Sequence, residues 1–161
     1  EEINMRQIIG HWEGDTVEGK GHIDGIHTEV ERVSRYFMAR KVKSITSEET
    51  INAQKEMFEK LPRTLRKSTT LDNGRENHMH KQLEELGMDT YFADPYSSWQ
   101  RGTNENTNGL LRRYLPKKTS FKDLSPEELN EIVQEINNRP RKVLQYKTPV
   151  EILSGAIQPR M

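Results

Sequence analysis

The chain has 161 residues, with 25 Lys+Arg balancing 25 Asp+Glu, no cysteine, 32% hydrophobic residues and 31% charged ones. Disulfide frameworks and thiolate zinc sites are excluded, and the length predicts one domain, residues 1–161, with a thin core and a heavily charged surface. Zero net charge leaves nucleic acid open, because a metal site needs acidic residues where phosphate contacts need local basic ones.

No apolar run approaches membrane-spanning length and no signal-peptide pattern opens the chain, so no membrane partner and a reducing cytoplasmic setting are expected. The first residue is Glu1 rather than Met, which suggests a fragment of a longer polypeptide.

After a polar lead-in, residues 8–17 read as a strand carrying Trp12 and Asp15. Trp12 is expected in the core. Gly19, Gly21 and Gly25 punctuate a turn region. Partial alternation from Ile26 to Val33 predicts a half-buried strand, and Tyr36 to Val42 a third, together an antiparallel meander. Thr46, with Glu49 three residues on, is a capping-box start for a helix that Pro62 should end. Ser68–Leu71 reads as a short strand running into Asp72. His78–Leu86 reads as a helix stopped by Gly87, and Asp89–Ala93 as another strand before a loop at 94–98.

Thr103 is a candidate cap for a helix reaching about Leu115, with Leu110, Leu111 and Tyr114 facing the core and Pro116 ending it. Ser125-Pro126-Glu127-Glu128 combines cap, first-turn proline and capping-box glutamate, and Leu129, Ile132, Val133 and Ile136 follow at helical spacing. Thr148-Pro149-Val150-Glu151 repeats that start signal. Three strands followed by alternating helices and strands predict an α/β fold, a mixed five-stranded sheet with helices on both faces. In such sheets ligands favour the carboxyl ends of parallel strands, where Asp72 falls.

Three acidic residues stand in distinctive contexts: Asp15 in Gly-His-Trp-Glu-Gly-Asp-Thr, Asp72 in Thr-Leu-Asp-Asn-Gly, and Glu105 in the first turn of the predicted helix. Three such carboxylates brought together make an oxygen-ligand site for magnesium or manganese. Spacing alone does not secure this, since most acidic residues in so charged a chain solvate the surface. Glu105 can also simply complement its helix N-terminus.

Those contexts, with Tyr91-Phe-Ala-Asp-Pro-Tyr-Ser-Ser-Trp-Gln-Arg-Gly-Thr-Asn-Glu-Asn-Thr-Asn-Gly-Leu110, Asn137-Asn-Arg-Pro-Arg-Lys142 and Lys147-Thr-Pro149, resemble the catalytic core of bacterial DDE transposases, most closely the insertion-sequence-thirty family. More distantly, the Asp-Asn-Gly turn and Gly102, Glu105 and Asn108 resemble retroviral integrase cores. The resemblance spans roughly residues 10–153. It implies a ribonuclease H-like fold, DNA strand cleavage and strand transfer at transposon ends, Asp15, Asp72 and Glu105 as catalytic and metal-binding residues, and two Mg2+ or Mn2+ ions in the active complex. It also implies DNA as partner, a homo-oligomer in action and a place at the bacterial nucleoid. Two departures stand out. Asn77 occupies a position where the family commonly has Phe, and the second strand is unusually polar.

Candidate DNA contacts surround this triad. Trp99 can stack on a base or pin its own loop, and Gln100 and Arg101 lie near Glu105 in sequence. Asn104, Asn108 and Arg112 share a helix face that suits a DNA backbone, while Arg112 and Arg113 read equally as a solvated helix face. Lys117, Lys118, Arg139, Arg141 and Lys142 form the densest basic clusters. The five histidines show no metal-ligand pattern. Alternative readings are a ribonuclease H-like nuclease that never joins strands, and a transposase-derived DNA-binding module without catalysis.

Overall fold

The computed structural model describes residues 8–93 and 102–157. β1 (His11–Glu18), β2 (Gly25–Glu31) and β3 (Phe37–Val42) form the expected antiparallel meander. Helix α1 (Ser47–Phe58) then crosses over to β4 (Ser68–Leu71), which runs parallel to β1, and β5 (Asp89–Phe92) runs parallel to β4. The sheet order is β3-β2-β1-β4-β5. Helices α2 (Gly102–Tyr114), α3 (Pro126–Asn137) and α4 (Pro149–Ile157) follow.

Local signals in the sequence account for most boundaries. The Thr46 hydroxyl accepts from Glu49 N and starts α1. Ser125 and Glu128 complete a reciprocal capping box at α3, as do Thr148 and Glu151 at α4. Three expectations are corrected. α1 ends at Phe58, before Pro62, and the proline opens a 3-10 turn at Arg63–Leu65. The segment before Gly87 is a 3-10 helix, His80–Leu86, although Gly87 does stop it in the left-handed conformation at φ 76. Thr103 lies inside α2 rather than capping it. The loop expected at 94–98 falls outside the described residues.

Helices cover both faces of the sheet. On one, Trp12 packs with Ile51 and Phe58 of α1 and with Leu83 and Met88. On the other, Val17, Ile26, Val30 and Phe37 pack with Leu111, Leu115, Phe121, Leu129 and Ile136, while Leu110 and Tyr114 are partly buried against them. β2 is buried along its whole length rather than half-buried, because both faces are covered. Its polar residues His27, Glu29 and Glu31 lie on the α1 side, the face shared with Trp12, Gly14 and Thr16 across the register. The Asn137 side chain, at the end of α3, satisfies both Phe37 backbone groups at 2.8 and 2.9 Å and so fixes that helix to β3.

Candidate active site

β1 and β4 carry the two aspartates. Their parallel register pairs Trp12 with Thr69 and Glu13 with Thr70. Continued by two residues, that register sets Asp15 of β1 beside Asp72, which lies just past the end of β4; paired strands stand about 4.8 Å apart. Side chains alternate, so Glu13, Asp15 and Thr70 face α2, while Trp12 and Gly14 face α1. Trp12 is therefore core on the face opposite Asp15. It is fully buried, and its indole N–H donates to Leu65 O at 2.7 Å.

Each aspartate is held by amide donors. Asp15 Oδ1 accepts from Thr16 N at 2.9 Å, and Oδ2 from Asn108 Nδ2 at 3.1 Å. Asp72 Oδ1 accepts from Gly74 N at 3.0 Å, the turn expected of Asp-Asn-Gly, and from Asn77 Nδ2 at 3.0 Å. The Asn77 amide also reaches Asp72 O at 3.1 Å. The residue that departs from the family pattern thus supports the second aspartate directly.

A fourth acid, which sequence reasoning passed over, organises the site. Glu13 is fully buried between β1 and α2. Its Oε1 accepts from Asn104 N at 3.0 Å, its Oε2 from Arg32 Nε at 2.9 Å, and its backbone O from Asn104 Nδ2 at 3.0 Å. Asn104 Oδ1 in turn accepts from Asn108 Nδ2 at 2.9 Å. This chain of bonds fixes the start of α2 beside Asp15. Glu105, adjacent to Asn104 and one turn before Asn108, is exposed. Among the described residues, no three His, Asp or Glu side chains form a ready cation cage. The donor set fits a hard divalent cation nonetheless: Asp15 offers oxygen from β1 and Asp72 from the turn at the end of the neighbouring β4, with Glu105 one helix turn from the Asn108 that holds Asp15.

Behind the aspartates, on the α1 side, lies a buried polar cluster. The Glu29 carboxylate accepts from Thr69 Oγ1 at 2.5 Å and Gln54 Nε2 at 3.2 Å, and lies 2.5 Å from His27 Nε2. It lies against Gly14, where a Cβ would sit 2.3 Å from Glu29 Oε2 and 2.7 Å from Leu71 Cδ2. A glycine inside a strand is a signal for close approach, and Gly14 carried it. The polar second strand is thus internally satisfied.

The candidate DNA contacts divide. Trp99, Gln100 and Arg101 lie outside the described residues. Asn104 is corrected: it is fully buried against Glu13, so it positions α2 instead of presenting an amide at the surface. Asn108 is committed to Asp15 and Asn104. Arg112 is half-buried and binds the Glu18, Leu115 and Pro116 carbonyl oxygens at 3.0–3.4 Å, with burial lowering its pKa and Glu18 opposing. Lys117, Lys118 and Lys142 are exposed, and Arg139 and Arg141 half-buried.

No family model matches the chain. Curated relatives do. It is 44% identical over 156 residues to the transposase InsI for insertion sequence element IS30A of Escherichia coli (strain K12), covering 96% of this chain and 40% of that protein. It is 42% identical over 157 residues to the transposase for insertion sequence element IS1086 of Cupriavidus metallidurans, covering 97% and 46%. The chain therefore spans less than half the length of these relatives. In structure it is similar to a chain of the simian T-cell lymphotropic virus intasome, with TM-score 0.74, 22% identity, and 96% and 56% of the two chains covered. It is also similar to the catalytic core domain of BIV integrase, with TM-score 0.67, 18% identity, and 91% and 94% covered. The fold is accordingly the ribonuclease H-like fold of integrase cores. Among the described residues no helix is long and apolar enough to cross a membrane. With more than two-fifths identity along nearly all its length, the chain matches a stretch of the IS30-type insertion-sequence transposases.

Proposed function

We propose that this chain cleaves phosphodiesters at transposon ends and transfers the freed 3′ hydroxyl into target DNA, using Asp15, Asp72 and Glu105. The observation that carries the reading is the parallel pairing of β1, which bears Asp15, with β4, which runs into Asp72, with Asn108 and Asn77 holding the two carboxylates. Relatives that are transposases support it. Magnesium or manganese, as a pair of ions held by these three residues, would polarise the scissile phosphate and activate the attacking hydroxyl.

The chain's own residues set the frame. Glu13, through Asn104, fixes the helix that bears Glu105. Exposed Lys117, Lys118 and Lys142 supply phosphate contacts, together with Gln100 and Arg101, while Trp99 stacks on a base. The DNA is a transposon end with its target. The active complex is a homo-oligomer that holds two ends, working at the nucleoid.

The test is Asp15→Asn and Asp72→Asn, each compared with wild type for magnesium-dependent cleavage of an end duplex and for thermal stability. Both variants should lose cleavage and keep their fold, and full activity in either would refute the assignment. A pre-cleaved end with a 3′ hydroxyl should yield joined product. Cutting without joining would identify a nuclease instead.

A further inference from the structure

Arginines from two parts of the chain, the β2–β3 turn and the segment after α3, approach one another along α2, Arg35 at its start and Arg139 at its end, and only two of the three belong to the basic clusters visible in the sequence. Arg35 lies in the turn between β2 and β3 with a left-handed φ of 64. That turn is fixed by buried Glu31, whose Oε1 accepts from Val33 N at 3.1 Å, Ser34 N at 2.7 Å and Ser34 Oγ at 2.8 Å. The Arg35 guanidinium donates to the hydroxyl of Thr103, two residues before Glu105. Arg139 and Arg141 arrive from the other side, on the segment after α3. The grip of Asn137 on Phe37 ties that segment to the strand beginning two residues after Arg35.

Arg141 is half-buried, and its backbone is pinned by bonds to Lys147 O at 3.0 Å and from Tyr146 N at 2.8 Å. Its Nη1 is buried and has no hydrogen-bond partner among the described residues. Burial lowers its pKa, and the neighbouring Arg35 and Arg139 lower it further. Arg139 donates to the Tyr114 hydroxyl at 3.1 Å, which Glu135 also approaches. The ion pairs among the described residues include neither Arg139 nor Arg141. Like charges converging on fixed backbone, with a buried donor lacking an acceptor, are arranged for an anion. The planar guanidinium fork matches phosphate oxygens.

We infer that Arg35, Arg139 and Arg141 form a phosphate-binding site that grips the DNA backbone along α2, the helix that carries Glu105. It rests on the proposed DNA-processing function but uses none of the three carboxylates. Its contribution is register: a phosphodiester held here sets which bond of the strand reaches Asp15 and Asp72.

The experiment titrates inorganic phosphate against the protein at constant ionic strength, with chloride as control, and measures DNA affinity across a salt series. Arg141→Gln and Arg139→Gln should each weaken phosphate binding about tenfold and flatten the salt slope of DNA binding by about one. Arg35→Gln should do the same if folded, and the other two variants carry the test if it is not. Arg141→Lys, keeping charge without the fork, should fall between. Asp72→Asn should retain phosphate binding, so failure of the catalytic assignment reads out separately. Phosphate affinity and salt slope unchanged in both Arg139→Gln and Arg141→Gln, with the fold intact, would overturn the site.

Discussion

Gly14→Ala is the sharpest test of how the two faces of the sheet are coupled. The new Cβ would lie 2.3 Å from Glu29 Oε2, 2.7 Å from Leu71 Cδ2 and 2.8 Å from Glu29 Cδ. Neither neighbour is a loose surface group, since both Glu29 and Leu71 are fully buried. Restoring van der Waals separation requires the carboxylate to retreat by roughly 1 Å. Retreat stretches the contacts to Thr69 and His27, both 2.5 Å, and to Gln54 at 3.2 Å. Overpacking alone costs about 1–3 kcal/mol. Weakening hydrogen bonds to a buried carboxylate adds about 1.5–3 kcal/mol. The expected loss is about 3–5 kcal/mol, or roughly 6–20 °C in Tm for a domain of this size. Urea and thermal unfolding measure it, together with Glu29→Ala and the double variant. Because the carboxylate makes the tightest of these clashes, the double variant should lose less than the sum of the two single losses, with the Leu71 contact left in both the single and the double. A loss below about 1 kcal/mol for Gly14→Ala, or simple additivity in the cycle, would refute the reasoning.

Three further predictions follow from single contacts. Glu13→Gln keeps an acceptor for Asn104 N but strips the charge facing Arg32, whose side chain is 2% exposed, and should cost about 3–5 kcal/mol in denaturant unfolding. A change under about 1 kcal/mol would mean that the pair does not hold α2 in place. Asn77→Ala removes two bonds to Asp72, so metal-dependent cleavage should fall about 10–100-fold for a stability loss of about 1 kcal/mol; unaltered cleavage would remove Asn77 from the site. His11 titrates below its ordinary 6.5 because of burial, then Lys67 and Arg32, with Asp89 opposing. The unfolded chain therefore takes up this proton first, so the contribution is complete above about pH 6.5 and is lost as pH falls through it. Unfolding midpoints taken from neutral pH down to about pH 5 should decline less steeply in His11→Gln, and an identical decline would assign the effect to other groups.

Some of this protein was readable residue by residue. Ser125-Pro-Glu-Glu and Thr148-Pro-Val-Glu start helices because a cap and its reciprocal glutamate lie within one turn. Ser68–Leu71 and the left-handed Gly87 were equally local. The contexts of Asp15 and Asp72 marked the two strands that the register sets side by side. What lay beyond reach was decided by partners distant in sequence. Glu13 looks like one more surface acid until Asn104, 91 residues away, donates to it. His27 and Glu29 read as the wet side of a half-buried strand until α1 covers them, Gln54 and Thr69 donate to Glu29, and His27 pairs with Glu29. Arg35 belongs to no basic run, and only the β2–β3 turn sets it beside Thr103 and Arg141.

The sequence by itself determined where the elements start and which carboxylates stand in distinctive contexts, because capping, turn geometry and motif context operate within a few residues. Only the tertiary structure decided which polar groups are interior, which arginines converge and what holds Asp15 and Asp72 in place. Burial and pairing at those positions depend on strands and helices that meet across as many as 100 residues of chain.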